Sequence, residues 1–168
     1  MVELKEFERI DYLFRENRKI IQSKRFFSFS LDAVLLADFV NLPQKRQFKY
    51  LDFCSGNGII PIILSAKTTN PLEGIELQSE LVEMARRSIE LNQLENQITI
   101  HEGDLNEFPH GNADYDFITC NPPYFLLETS KEIHRLTSHH LARHEVSLTM
   151  DQWLFKASMP KTHSLNKN

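Results

Sequence analysis

The sequence predicts an α/β protein: an open, mostly parallel sheet, doubly wound with helices on both faces, in one compact domain. Three observations carry that expectation. Four short, mostly apolar runs, at residues 50–53, 72–76, 98–101 and 115–120, read as buried parallel strands. Helical patterns fill the first two gaps between them, and strand–helix–strand alternation implies parallel pairing through right-handed crossovers. Four of the five glycines, Gly56, Gly58, Gly74 and Gly103, stand within or beside the strand runs, where backbone constraint explains them better than linker flexibility. In such sheets a ligand sits beyond the carboxyl ends of the strands.

Taken in order, residues 31–40 read as a helix, with Ser30 as its cap and Val34, Leu35 and Phe39 as its inward side. The first strand, 50–53, follows. Residues 59–67 read as a buried helix, with Pro61 confined to its first turn, where a missing N–H does little harm. After the strand at 72–76, residues 78–92 place Leu81, Ala85 and Ile89 four apart, with Val82 beside them, forming one apolar stripe. The strands at 98–101 and 115–120 close the series. The expected organisation is an N-terminal helical cover over 1–47, a core over 48–158, and a polar, unpatterned tail over 159–168 that is expected to be disordered.

Composition bounds the function. The chain has 168 residues, 23 acidic and 19 basic side chains, a net charge of -4, 41% hydrophobic and 25% charged residues, values near those of globular proteins. No apolar run approaches the roughly 20 residues of a membrane helix, and residues 1–10 lack a secretory apolar segment, so a cytoplasmic location is expected. Two cysteines, Cys54 and Cys120, argue against a disulfide scaffold or a cysteine zinc site; both read as packing residues. His134, His139, His140 and His144 have no carboxylate at a zincin offset, so no metal is expected. With Lys131, Arg135 and Arg143, that segment reads as an RNA-phosphate contact or an exposed loop. Arg15, Arg18, Lys19, Lys24 and Arg25 face only Glu16 in their stretch, forming either a phosphate-holding surface or a solvated helix face. Phe26, Phe27 and Phe29 read as core or as a cover over a ligand.

Four strand-end constellations carry chemistry. Asp52 runs into the Gly56-Asn57-Gly58 turn, which a ligand can approach closely, although a tight strand-to-helix turn also needs glycine for steric reasons. Glu76 comes twenty residues after Gly56, where a carboxylate can accept both hydroxyl protons of a ribose. Pro61 stands where dinucleotide sites carry a third glycine, which counts against hydride chemistry. Asp104, after the third strand, reads as an acceptor for a nucleobase amino group or as a solvated turn. Asn121-Pro122-Pro123-Tyr124 follows the fourth strand and is the most specific signal. Its prolines force an extended path. The Asn121 side-chain oxygen and the Pro122 carbonyl can then accept both N–H bonds of a planar NH2, favouring the pyramidal nitrogen of a transition state, with Tyr124 stacking on the substrate.

These motifs, in this order, resemble the class I S-adenosylmethionine-dependent methyltransferases that modify an amino nitrogen, with their Rossmann-like fold. The resemblance implies that Asp52, Gly56 and Gly58 hold the methionine part of the cofactor, Glu76 its ribose and Asp104 its adenine, while Asn121, Pro122, Pro123 and Tyr124 are the catalytic set. A narrower similarity, to the bacterial tRNA(Val) adenine-N6 methyltransferases, rests on the 25–37 segment RFFSFSLDAVLLA and on Ala142-Arg143-His144-Glu145. It implies methyl transfer to the adenine that follows the anticodon; from their charge, Arg15, Arg18, Lys19, Lys24, Arg25, Arg143 and His144 are then expected as the RNA contacts.

Against that family, the chain is expected to be C-terminally shortened. After the amphipathic stretch 149–158, the residues MPKTHSLNKN cannot supply a fifth strand and the terminal strand pair. The fourth strand then becomes an edge, an invitation to homo-oligomerise. Three alternatives stay open: methylation of a protein glutamine, whose amide offers the same NH2; a non-catalytic cofactor- or RNA-binding remnant; and DNA adenine methylation, disfavoured by the absence of a recognition domain.

Overall fold

The computed structural model describes residues 2–26, 31–105, 107 and 115–122. Ser30, Phe27, Phe29, Pro123, Tyr124, the histidine-bearing segment with Arg143 and His144, the 149–158 stretch and the 159–168 tail lie outside the described residues.

The chain opens with a hairpin where the sequence suggested a helical cover. Strand β1 (Glu8–Leu13) pairs antiparallel with β2 (Arg18–Ser23), Tyr12 opposite Lys19 and Leu13 opposite Arg18. The four-residue turn between them is closed by the Asn17 N–H on the Phe14 carbonyl, 3.3 Å, with Asn17 at φ 54, a conformation that asparagine tolerates. The basic stretch from Arg15 to Arg25 therefore lies on a turn and a strand, not on a helix face. Helix α1 (Leu31–Phe39), β3 (Tyr50–Phe53), α2 (Ile59–Leu64), β4 (Leu72–Glu76), α3 (Ser79–Leu91), β5 (Ile98–Glu102) and β6 (Phe117–Cys120) follow.

The four later strands form one parallel sheet in the order β5-β4-β3-β6. Alternation along the strands divides the core. Tyr50, Leu72, Ile98 and Ile100 join residues of all three helices in the larger apolar cluster. Leu51, Phe53 and Ile75, pointing the other way, join Leu105 in a second cluster drawn from strands and their flanks.

Two helix faces differ from the expected ones. In α1 the buried positions are Ala33 and Ala37, whereas Leu35 and Phe39 are 56% and 86% exposed. The helix is apolar nearly all round, so hydropathy does not select a face; small residues do, because they let α1 approach α2 closely. In α3, Met84 and Ser88 are buried with Val82, Ala85 and Ile89, while Leu81 is only half-buried. Burying side chains such as Val82 and Ile89 contributes on the order of 2 kcal/mol each. The expected 59–67 helix is α-helical only to Leu64; the Ala66 and Lys67 N–H groups bond three residues back, tightening the last turn. Lys67 then donates from Nζ to the Ala37 and Asp38 carbonyls at 2.7 and 2.9 Å, a cation at the carbonyl end of α1.

Side chains of the core hold the hairpin. Of the backbone groups that β2 turns away from β1, the Lys19 N–H and carbonyl bond to the Asn92 carboxamide at 2.8 and 2.6 Å. The Ile21 N–H donates to Ser88 Oγ, and the Ile21 carbonyl accepts from Asn57 Nδ2, at 2.9 and 3.0 Å. Arg87 of α3 adds a two-pronged pair to Glu8, 2.7 Å on each side, and reaches Glu83. The Arg87 guanidinium holds the Glu8 carboxyl below the usual carboxylate range.

Candidate functional site: four strand ends on one rim

Parallel register brings the candidate residues together. Phe53 lies beside both Ile75 and Cys120, and Glu76 beside Glu102, so the segments after β3, β4, β5 and β6 meet on one rim. At the end of β3 the chain turns sharply: Cys54 is at φ 54, Gly56 at φ 56 and Gly58 at φ 81. Gly58 caps α2 in the left-handed conformation, which glycine adopts without a Cβ penalty. Gly74 serves the turn differently. A Cβ there would fall 2.5 Å from Ser55 Oγ and 2.8 Å from Ile100 Cδ1, so its absence lets the turn lie against β4. The Ser55 N–H completes the join on the Ile75 carbonyl, 3.0 Å.

Asp52 is wholly buried beneath this turn. Ser55 Oγ donates to its Oδ2 at 2.8 Å, Thr119 Oγ1 donates to its Oδ1, and the Tyr50 hydroxyl bonds Thr119 in turn. A relay from Tyr50 to Ser55 thus ties β6, β3 and the turn into one unit. Burial, reinforced by the Glu76 charge and opposed by the bonds from Thr119 and Ser55, pushes the Asp52 carboxyl up to about 7. Burial also drives the Tyr50 hydroxyl well above its usual range. Cys54 and Cys120 are free and half-buried. A hydrogen bond with Cys54, together with burial, raises the Cys120 thiol far above the ordinary range, the opposite of what a nucleophile needs.

Glu76 is 7% exposed and gathers three backbone donors: Gly56 N–H on Oε2 at 2.8 Å, and Leu77 and Gln78 N–H on Oε1 at 3.0 Å each. Its own carbonyl accepts from Gly103 N–H, 3.0 Å, carrying the Gly103-Asp104 pair to the same rim. Among the described residues, a Cβ built on Gly56 or on Gly103 would meet nothing within 4 Å, so both glycines border space that those residues leave open. Asp104, Asn121 and Pro122 are half-buried beside it, and of the Asn-Pro-Pro-Tyr motif these first two residues are described. The rim thus combines carboxylates, a carboxamide and a proline carbonyl with two open glycine edges, a set of acceptors for hydroxyl and amino groups.

The basic residues separate. Helices α2 and α3 return antiparallel to the strands, so their C-terminal ends lie at the opposite end of the sheet. Arg18 bonds Ser65, the C-cap of α2, at 3.1 Å; Lys19 bonds Asn92, the C-cap of α3; Arg15 pairs with Asp38 near the end of α1 at 2.7 Å. Those three are remote from the rim. Lys24 and Arg25 lie at the other end of the hairpin, where the Lys24 N–H bonds the Phe7 carbonyl and Arg25 stacks 4.6 Å from the Phe7 ring centroid.

Sequence reasoning missed Ser55, Thr119, Tyr50 and Asn57. The Asp52–Thr119 pairing is visible only once β3 and β6 are known to be neighbours. Asn57, inside the Gly-x-Gly turn, had a local signal, being a polar residue at a position that needs none. Among the described residues no group of three metal-ligating side chains occurs, and no helix is long and apolar enough to cross a membrane.

Comparison with known proteins agrees with this geometry. A tRNA1(Val) (adenine(37)-N6)-methyltransferase of Parabacteroides distasonis is 31% identical over 124 residues, 73% of this chain and 50% of the relative. One of the same name from Yersinia pestis is 30% identical over 126 residues, 73% and 49%. The chain thus spans about half the length of the curated relatives it matches. Among solved structures, a Pyrococcus abyssi tRNA (uracil-54, C5)-methyltransferase in complex with S-adenosyl-L-homocysteine superposes with a TM-score of 0.55 at 22% identity, over 71% of this chain and 29% of that one. Pyrococcus horikoshii TYW2 in complex with MeSAdo gives 0.52 at 16%, over 62% and 39%. These two likenesses concern the fold. Residues 29–146 match the model of the methyltransferase small domain, and with the parallel sheet and its glycine-turn rim in view, the chain belongs to that family.

Proposed function

We propose that this chain carries the catalytic core of an S-adenosylmethionine-dependent methyltransferase acting on the exocyclic N6 of an adenine in tRNA, the adenine that follows the anticodon of tRNA(Val). The observation that carries the reading is the placement of Asn121 and Pro122 directly after β6, the strand paired with β3, so that two acceptors meet the Gly56 turn and Glu76 across one rim. The curated relatives' names support the choice of adenine and of tRNA.

The residues fit the cofactor. Gly56 and Gly103 leave open edges on either side of Glu76, as a nucleoside lying across the strand ends requires. Glu76, with three N–H groups already organised around it, accepts the ribose hydroxyls, and Asp104 accepts the adenine amino group. Asp52 acts from below, holding the turn through Ser55. S-adenosylmethionine supplies an electrophilic sulfonium methyl. The Asn121 side-chain oxygen and the Pro122 carbonyl accept the two N–H bonds of the target amine and so favour its pyramidal form; Tyr124 stacks on the base. With the cofactor bound, the N–CH3 bond would form in line as the C–S bond breaks and the neutral thioether leaves, and the methylated amine would then release a proton to solvent. Lys24 and Arg25, on the rim side of the hairpin, meet the phosphates near the target, an arrangement that suits an unpaired loop nucleotide.

The test is methyl transfer from labelled cofactor to a tRNA1(Val) transcript, to the same transcript with its target adenine replaced, and to a release factor. Incorporation into the first alone is expected. Label in the release factor would reassign the site to a protein glutamine. Cofactor binding without transfer to any acceptor would leave a binding remnant.

A further inference from the structure

The hairpin tip carries chemistry that the rim does not use. Tyr12 and Phe14 stack with ring centroids 6.0 Å apart and planes 24° apart, and are 57% and 89% exposed. Lys19 stands 5.7 Å over the Tyr12 ring. Beside them a groove of about 270 Å³ runs between the hairpin and the end of α3, with Asn17, Arg18 and Gln93 in its walls. Exposed stacked rings are costly to leave in water and are scarce on a surface that needs none. Two cations and three carboxamides, Asn17, Asn92 and Gln93, in the same groove answer phosphates and base edges, not an apolar partner.

The tip's distance from the rim gives it meaning. Helix α3 spans the interval, from Ser79 beside the rim to Leu91 beside Lys19, and its 13 residues measure about 20 Å at 1.5 Å each. That interval equals roughly six stacked nucleotides at about 3.4 Å each. An RNA whose unpaired base enters the rim reaches the tip with the helical stem next to its loop, or with a nucleotide displaced from that stem.

We propose that the groove between the hairpin tip and the end of α3 is a second RNA-binding site, in which Tyr12 and Phe14 stack on an unpaired or terminal base while Arg18 and Lys19 hold the adjoining phosphates. The site is separate from the methyl-transfer rim and sets which RNAs bind by their length beyond the target loop. It rests on the reading that this chain acts on RNA.

The experiment measures, by fluorescence anisotropy, binding of the chain to a labelled anticodon stem-loop and to the loop sequence alone as a short oligonucleotide, each with an unpaired adenine. Replacing Tyr12 and Phe14 together by Ala is expected to weaken stem-loop binding about tenfold, the scale of one lost aromatic–base stack, and to leave the short oligonucleotide unchanged. Tyr12→Phe, which keeps the ring, is expected to bind as the parent does. Lys19→Ala is expected to lower the slope of log affinity against log salt by about one for the stem-loop only. All of these side chains are exposed, so their loss leaves the core intact, and thermal melting checks this. Equal effects on both RNAs, or none on either, would overturn the proposal. So would a tip variant that changes self-association in sedimentation without changing RNA affinity, which would assign the surface to protein. Failure of the parent chain to methylate any RNA while tip-dependent binding persists would overturn the methylation reading and leave this site standing.

Discussion

Asp52 makes the stability of the sheet depend on pH in a direction opposite to that of most carboxylates. In the folded protein its carboxyl sits at about 7, against an ordinary 3.8, because burial removes water from the charged form more effectively than Ser55 and Thr119 replace it. A group raised in this way contributes its full stability below the unfolded value and loses it as pH climbs to the folded one. The gap corresponds to about 4 kcal/mol, a large part of a domain's usual 5 to 15 kcal/mol or so. Asp52→Asn removes the titration while preserving the shape. Urea unfolding of both proteins from about pH 5 to about pH 8 should show the parent losing stability relative to the variant, most of it before neutrality, with equal m-values. Any fixed cost of the amide shifts one curve by a constant and does not alter the trend. Parallel curves, or a parent that gains on the variant as pH rises, would refute the reasoning, since the first would mean that the hydroxyl donors balance desolvation and the second that they outweigh it. A carboxyl NMR titration of Asp52 gives an independent reading of the same midpoint.

Three other outcomes follow from the geometry. Gly74→Ala puts a methyl group into the space of Ser55 Oγ and Ile100 and should cost about 1–3 kcal/mol in a thermal or urea melt, with a matching loss of cofactor affinity as the turn is pushed off β4. Asn121→Ala should lower methyl transfer by about a hundredfold or more while calorimetry shows cofactor binding near the parent's value; loss of both together would place Asn121 in the cofactor site. Arg87→Ala leaves the nearly buried Glu8 carboxylate without its bidentate partner. It should cost about 2–4 kcal/mol, with hydrogen exchange accelerated in β1 and β2 before the parallel sheet.

The parallel sheet was legible because each of its strands is a short apolar run bounded by turn residues, and because Gly56, Glu76, Asp104 and Asn121 each mark a strand end. The hairpin was not. Its turn, Phe14-Arg15-Glu16-Asn17, lacks glycine, and the charges of β1 interrupt its alternation, so the positive run read as the face of a helix. Ile20 and Ile21, adjacent and β-branched, were the available sign of a strand. In α1 the side with the larger residues was expected inside, yet Ala33 and Ala37 face the core, because close approach to α2 favours small side chains there. At the site the acceptors were readable one by one from spacing. What spacing does not contain is which strands are neighbours, and Thr119 and Tyr50 join the Asp52 relay only through that adjacency.

A two-stranded ribbon at a protein's surface normally offers its free side to any passing chain. Here every outward amide and carbonyl of Lys19 and Ile21 is already engaged by Asn92, Ser88 and Asn57, so no template remains for a foreign strand at those positions. On its β2 side the ribbon is closed by carboxamides and a hydroxyl rather than by another strand, and replacing any of the three with an apolar residue would leave those β2 groups unanswered.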